Sequence, residues 1–421
     1  MDSKVIAILA AVLLVAGGAS ALIVMSKDGG EEKMVDMGYG LLEVYGNANG
    51  DHTIDGKDIL LLNEIISGAK SKEDYPLADA NQDGDIDQKD VNLVNDIINK
   101  KEGTVIYVNS HLNGVNVVTV KYPVNRGMAT SGTNLLMLVK ALDVEDKILA
   151  VNKGASSTFG DLFPEYNGKS DLGNNARTVS TEKAKEYFKQ GATVLITQDS
   201  TAYVKTESDL KAAGIDVVRV KAAAVKPIDW AQAVNMVGFL LDGTERAKSM
   251  TNWYAKLERD LSEKIKDVEK PNAVASSTKD KISRITSDYA EAVILAGSDY
   301  SIGDYGGTGA TIDYGTWLLN NEHDYLFAFK NMGYGEVNEA KEYNERTTNY
   351  VDLDVYTNGN CYVINGDVPV PVRVAYLAGI MHKDILGEDF GDNANKDFMK
   401  KFYDGKLNFE DGTYVLSKPV S

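Results

Sequence analysis

The stretch DANQDGDIDQKD, starting at Asp79, carries side-chain oxygens at Asp79, Asn81, Asp83, Asp87 and Asp90, with Gly84 and Ile86 between them. Counted from Asp79, these are positions 1, 3, 5, 9 and 12 of a loop, with glycine at 6 and an apolar residue at 8. A hard cation takes roughly six to eight oxygens, and a tightly wound loop supplies them at alternate positions. Asp85 would add its backbone carbonyl at position 7. This is an EF-hand-type calcium loop in which Asp90 stands where the longer Glu is usual.

The pattern occurs once before. NANGDHTIDGKD places Asn47, Asn49, Asp51, Asp55 and Asp58 at the same positions, with Thr53 as the carbonyl donor and Ile54 at position 8. Here Asn47 replaces the first acid and His52 stands where glycine is wanted. Histidine tolerates a left-handed backbone better than most residues, so closure of the loop is expected, with weaker calcium binding. Apolar helices follow both loops, in ILLLNEIISG and VNLVNDIINKKEG. The tandem of loop and helix resembles the dockerin module and is taken as a small all-α unit over residues 38–102. The resemblance implies one or two Ca2+ ions. It also implies a cohesin partner, met through loop positions 10 and 11, here Gly56, Lys57, Gln88 and Lys89.

These loops sit in a chain of 421 residues with a formal net charge of −18. That charge repels phosphate and argues against nucleic acid. One cysteine, Cys361, excludes an internal disulfide, and four scattered histidines leave little for a His-rich metal centre. Val5 to Met25 contains no charged residue and is long enough to span a bilayer. Ala19-Ser20-Ala21 suits signal-peptidase cleavage, although the apolar run continues beyond it. Residues 1–30 are therefore read as signal anchor and linker. The remainder is expected on the extracellular face of the membrane, or secreted if the chain is cut after Ala21.

From Thr104 the texture alternates between strand and helix. TVIYVNSHLNGVNVVTVKYP reads as a hairpin turning at Asn113-Gly114, and RGMAT, KILAV, ATVLIT and IDVVRV read as strands separated by helices. Such alternation indicates a parallel sheet with crossover helices. A helical stretch with a break near Gly243 fills 228–268, and the α/β texture resumes after it. The expected architecture is two Rossmann-like α/β lobes, 104–227 and 269–421, joined by one long helix.

This order resembles the class III substrate-binding proteins of ABC transporters. YPVNRGMAT stands in place of that family's Pro-x-x-Arg-Val-Val strand, and TSGTNLLMLVKALDVEDKILAV in place of its Thr-Glu helix and Leu-Gly turn. STEKAKEYFKQGATVLIT follows the next helix and strand, with Ala192-Thr193 where the family has Pro-Asp. VDLDVYTNGNCYVINGDVPVPVRVAYLAGIMHKDIL resembles the closing strands and final helix. The resemblance implies a receptor that delivers an iron chelate, haem or corrinoid to an ABC permease. It further implies one permease-gripping carboxylate per lobe, for which Glu182 or Glu186 and Glu342 or Glu345 stand nearest.

Ligands of such folds sit beyond the carboxyl ends of the strands. The loops reaching that edge bring Ser131, Phe159, Tyr166, Asp199 and Tyr203 in the first lobe. In the second they bring Tyr300, Tyr305, Tyr314, Trp317 and Tyr334. Aromatic faces with a polar edge suit a large ring or chelate. An anionic ligand would also want a cation, and Arg126, Arg177 and Arg346 are at hand. No nucleophile elbow, phosphate loop or acid pair stands out, so the chain is not expected to be an enzyme. The competing expectation is a surface-assembly protein acting through a cohesin.

Overall fold

The computed structural model describes residues 41–421 apart from 131, 158–161, 279–280, 301–310, 314–321, 408–409, 411 and 420–421. The expected anchor at 1–30 lies outside the described residues. Among those described, no helix is long and apolar enough to cross a membrane.

Each calcium-type loop runs straight into a helix, α1 (Gly56–Ile66) or α2 (Gln88–Ile98). The acids at positions 9 and 12 explain why. Asp55 and Asp87 are the N-caps, and Asp58 and Asp90 return a carboxylate to the cap backbone, so each helix starts with a capping box. Each cap contributes about 1 kcal/mol to its helix. Leu62 and Ile65 of α1 and Val91, Val94 and Ile97 of α2 turn inward, as the helical period of their apolar residues requires.

Those helices rest on the next element. β1 (Thr104–His111) and β2 (Val115–Tyr122) form an antiparallel hairpin. It turns where expected, at Asn113 (φ 54°) and Gly114 (φ 115°), both in the left-handed region that a tight hairpin demands. Residues 43–45 lie along the free edge of β1. Val44 bridges Val108, Asn109 N–H donates to Glu43 O at 3.0 Å, and Tyr45 N–H donates to Tyr107 O at 2.9 Å. Leu42, Val44, Val91, Val94 and Ile97 share one apolar cluster with Ile106, Val108, Val120 and Tyr122. The loop–helix pair is thus built onto the hairpin rather than strung ahead of it.

Lobe 1 follows. β3 (Arg126–Ala129), β4 (Ile148–Val151), β5 (Ala192–Gln198) and β6 (Asp216–Val220) make a parallel sheet in the order β4-β3-β5-β6. Its strands are buried nearly throughout, as parallel strands covered on both faces must be. The connections contain α3 (Thr133–Ala141), α4 (Thr181–Phe188) and α5 (Glu207–Ala212).

The expected single connecting helix is two. α6 (Pro227–Leu240) and α7 (Thr244–Ile265) reverse on each other through Asp242, which takes φ 66°, and Gly243. A Cβ on Gly238 would stand 2.6 Å from the Ala247 Cβ, so the crossing is closer than a side chain allows. The sequence signal of a break near Gly243 was a chain reversal, because a left-handed residue ends the helix outright. Tyr122 of the hairpin stacks on Phe239 of α6 with ring centroids 5.1 Å apart.

Lobe 2 is built on β7 (Asn272–Ser276), β8 (Lys281–Ser283), β9 (Asp299–Tyr300), β10 (Thr311–Asp313), β11 (Tyr325–Lys330), β12 (Cys361–Asn365) and β13 (Val415–Leu416). The main sheet runs β13-β12-β11-β7-β9, with only β13 antiparallel, and β8 pairs with β10 apart from it. Its helices are α8 (Asp288–Leu295), α9 (Glu339–Thr347), α10 (Val370–Met381) and α11 (Phe390–Phe402). The chain end returns to lobe 1. Tyr403 donates to Met137 O at 3.1 Å, and Arg246 of α7 bonds Ala141 O at 2.6 Å and Phe402 O at 2.8 Å. Lys406 pairs with Asp143 and Glu145. The lobes are therefore tied at a second place besides their linker.

Candidate functional site

The carboxyl edge of the lobe 1 sheet is held from within. Thr130 and Thr197, at the ends of neighbouring strands, share a buried hydrogen bond of 3.0 Å. The loop from Gln198 to Glu207 wraps around one guanidinium. Arg219 donates through Nε and Nη2 to Glu207 Oε2 at 2.9 and 2.8 Å, through Nη1 to Gln198 O and Ser200 O, and through Nη2 to Tyr203 O. A planar fork with five donors suits such a task, and the side chain is buried. Asp199 and Tyr203 are carried on this braced loop. Asp199 is exposed, and Tyr203 is half-buried with its phenol pushed up by burial.

The carboxyl edge of lobe 2 is braced by amides. Asn365 accepts from Met332 N–H and Asp367 N–H and donates to Gly333 O and Thr413 O. Asp367 accepts from Asn331 Nδ2 at 2.8 Å and Gly333 N–H at 2.9 Å. The loops after β11 and β12 are thereby one unit. Burial raises the Asp367 carboxyl, while those donors and Arg373 act against the rise. Between the lobes, Arg373 of α10 reaches Asn134 of α3, Nη2 to Oδ1, at 3.0 Å.

Of the residues expected at this edge, Ser131, Phe159, Tyr305, Tyr314 and Trp317 lie outside the described residues. Asp199 and Tyr203 stand where expected in lobe 1. Four others do not line an open edge. Arg126 opens β3 and so lies at the amino end of the sheet, the opposite edge. Tyr166 is fully buried beside Phe163. Tyr300 is a strut, its hydroxyl accepting from Ala275 N–H at 3.1 Å and donating to Ser283 O at 2.6 Å. Tyr334 is buried against Tyr414. Arg346 is likewise committed, bonding Phe329 O, Ser276 and the Tyr350 hydroxyl inside lobe 2. A tyrosine near a strand end carries no sign in sequence of which way it points, and packing took these inward.

Arg219, Asn365, Asp367 and Arg373 were missed. Arg373 had a signal, since it is the one charged residue in the run VPVPVRVAYLAGIM. A charge inside an apolar helix is rarely there without a partner or a task.

The carboxylates expected to grip a permease divide. Glu182 and Glu186 are exposed on α4, with Lys183 2.8 Å from Glu186. Glu342 and Glu345 of α9 both pair with Lys330, and Lys341 stands 3.9 Å from Glu345.

The two calcium-type loops repeat each other bond for bond until position 1. Asn81 Oδ1 takes Asp83 N–H, Asp83 Oδ1 takes Asp85 N–H, and Asp90 takes Asn81 N–H and Asp87 N–H. Asn49, Asp51 and Asp58 do the same in the first loop. At position 1, however, Asp79 turns its carboxylate into the loop, accepting from Asp83 N–H and Gly84 N–H. Asn47 turns its amide in, donating to Leu42 O at 2.8 Å and Asp51 O at 2.7 Å. The left-handed residues are Gln82 and Gly84 in the second loop but Gly50 alone in the first, so His52 does not take the glycine's conformation. Instead His52 is buried. In both loops a lysine caps the acids, Lys89 at 2.8 Å from Asp83 and Lys57 at 3.5 Å from Asp55. Among the described residues, no three His, Cys, Asp or Glu side chains converge as a metal centre.

No family model matches the chain, and no curated protein matches it. Solved structures do. The TroA-like periplasmic binding protein FepB of Veillonella parvula superposes with a TM-score of 0.59 at 15% identity, over 74% of this chain and 99% of its own. CeuE of Helicobacter pylori, a structure with Ni(II) bound, gives a TM-score of 0.53 at 14% identity over 72% and 98%. An ABC transporter solute binding protein of Sulfurospirillum deleyianum gives 0.54 at 13% over 70% and 95%. Between a quarter and a third of this chain is left over in each case. Two α/β lobes, bridged by α7 and closed by α11, give this chain a fold similar to that of the TroA-like periplasmic binding protein FepB.

Proposed function

We propose that this chain is an extracellular solute receptor that hands an iron chelate, haem or corrinoid to an ABC importer. The observation that carries the reading is the pair of braced carboxyl edges meeting at the Arg373–Asn134 contact. It supports binding because a pre-organised lining loses little entropy when a ligand arrives. The fold of the solute-binding neighbours supports the same reading. The uncharged run from Val5 to Met25 supports a tether at the membrane, and Glu182 is the exposed carboxylate offered to a permease from lobe 1.

The second loop, 79–90, is the one we assign to Ca2+. The fit rests on Asp79 turned inward and on Asp90, fully buried with its carboxyl raised by burial, a charge that a cation would offset. In the first loop the Asn47 amide already fills the inward position. A dockerin-type contact with a cohesin is the second reading, favoured by the exposure of Gly56, Lys57, Gln88 and Lys89.

Titration of the purified chain with ferric siderophores, haemin and cobalamin, followed by tryptophan and tyrosine fluorescence, tests the receptor reading. Saturable quenching by one class at micromolar concentration or tighter is the expected outcome. Silence toward all three, with capture of a cohesin, would replace it with the second reading.

A further inference from the structure

The calcium-type loop at 79–90 and the carboxyl edge of lobe 1 are joined by a continuous series of buried contacts. The residues that lead into the loop, Leu77 and Ala78, are buried, and so is Ala80 within it. Gly46 packs against them. Its N–H donates to Leu77 O at 2.7 Å, and a Cβ on it would stand 3.4 Å from the Ala80 Cβ and 3.0 Å from Val94 Cγ2 of α2. Its φ of 102° is one that side chains rarely adopt, so glycine is required there on both counts. The Asp79 carboxylate is near enough to add to the rise that burial and Glu43 impose on the Tyr45 phenol.

Residues 43–45 pass the contact on. They form the strip that pairs with β1 through Tyr45 N–H to Tyr107 O and Asn109 N–H to Glu43 O, and Glu43 pairs with His111 beside it. On the opposite face of β1, Ser110 Oγ accepts Arg219 N–H at 3.0 Å, with both residues buried. Arg219 is the side chain that holds Gln198, Ser200, Tyr203 and Glu207, and with them the loop that carries Asp199. The loop at 79–90 therefore cannot open fully without unseating Gly46 and the strip that covers β1. A cation held only by the closed loop lowers the population of every opening that releases it, by the factor 1 + [Ca2+]/Kd. What the loop is packed against decides how far that protection extends.

We propose that Ca2+ at 79–90 regulates the lobe 1 edge, by holding the strip 43–45 on β1 and, through Ser110 and Arg219, the loop 198–207 in place. The inference rests on the calcium assignment and the receptor reading above and adds a regulator to that same edge. Linkage is reciprocal, so a solute held by loop 198–207 raises the Ca2+ affinity by the same factor by which Ca2+ raises its own.

The test is amide hydrogen exchange of the full chain, with CaCl2 about 100-fold above the calorimetric Kd and with a chelator at equal ionic strength. Peptides covering 88–98, 104–111 and 198–207 are expected to slow together in Ca2+, by up to about 100-fold for amides that exchange only when the whole unit opens. Asp79→Ala should exchange at the same rate with and without Ca2+. Ser110→Ala should keep the Ca2+ response of 104–111 and lose most of that of 198–207. Slowing confined to 88–98 would overturn the coupling and leave the calcium assignment standing, whereas a chain that binds no Ca2+ by calorimetry would overturn both. An undiminished response of 198–207 in Ser110→Ala would overturn the route through Arg219, and if that variant does not fold the wild-type comparison decides. The receptor reading stands or falls separately, by the solute titration above.

Discussion

Arg219 shows how one side chain sets the shape of the carboxyl edge of a sheet. It gathers Gln198, Ser200, Tyr203 and Glu207, so the loop that carries Asp199 is folded around it. Lysine keeps the charge but has neither the fork nor the reach. Arg219→Lys should lower stability by about 2–4 kcal/mol in urea unfolding, since it leaves Glu207 partly unpaired and three carbonyls without donors. Two histidines contribute to the acid response. Burial lowers His323 to about 4 and lowers His382 as well. The unfolded chain takes up these protons near pH 6.5 and the folded chain does not. Their contribution to stability is therefore full above that pH and falls as pH drops from about 6.5 toward 4, while Asp58, raised to about 6 by burial, acts in the opposite direction over the same window. For His323 the loss is of the order of 3 kcal/mol at most, less what solvent screens, and His323→Gln should flatten that part of a Tm-against-pH curve.

At the scale of elements, the two loop–helix units share a sequence rhythm and a hydrogen-bond pattern yet differ in what occupies the loop. Calorimetric titration should give one Ca2+ per chain, lost in Asp79→Ala and kept in Asn47→Ala. Two equal sites would contradict the assignment of Ca2+ to the second loop alone. The α6–α7 reversal makes a separate prediction. A Cβ on Gly238 would stand 2.6 Å from the Ala247 Cβ, so Gly238→Val must push the helices apart. A cost of about 1–3 kcal/mol is expected from overpacking, read as a lower midpoint in urea. The same change at Gly84, where a Cβ would meet nothing, costs only through its left-handed φ of 94°.

At the scale of the molecule, the N-terminal unit is part of lobe 1. Glu43 and His111 form a buried pair, and residues 43–45 cover the β1 edge. Removing residues 1–103 would bare that edge and Ile106 and Val108 with it, leaving a surface that invites strand pairing between copies. The fragment 104–421 should therefore elute as oligomer or aggregate in size-exclusion chromatography where the longer chain does not. A monomeric fragment with an unchanged Tm would show the unit to be an appendage.

Local chemistry was legible in the residues themselves. The oxygen spacing at 79–90, the caps that launch α1 and α2, the Asn113-Gly114 turn and the alternation of the two lobes all follow from interactions within a few positions, so the sequence determined them. The break near Gly243 was visible too, but not that the chain reverses there, because that depends on how α6 and α7 pack. The site was legible only in part. Asp199 and Tyr203 stood on a loop that any reading of the sheet would pick. Tyr166, Tyr300 and Tyr334 stood on similar loops and were drawn inside by contacts with residues far along the chain. Arg373 and Asn134 lie 239 positions apart, and no local rule joins them. Their meeting, like the seating of the N-terminal unit on β1, was decided by tertiary packing, which alone sets which buried polar groups find each other.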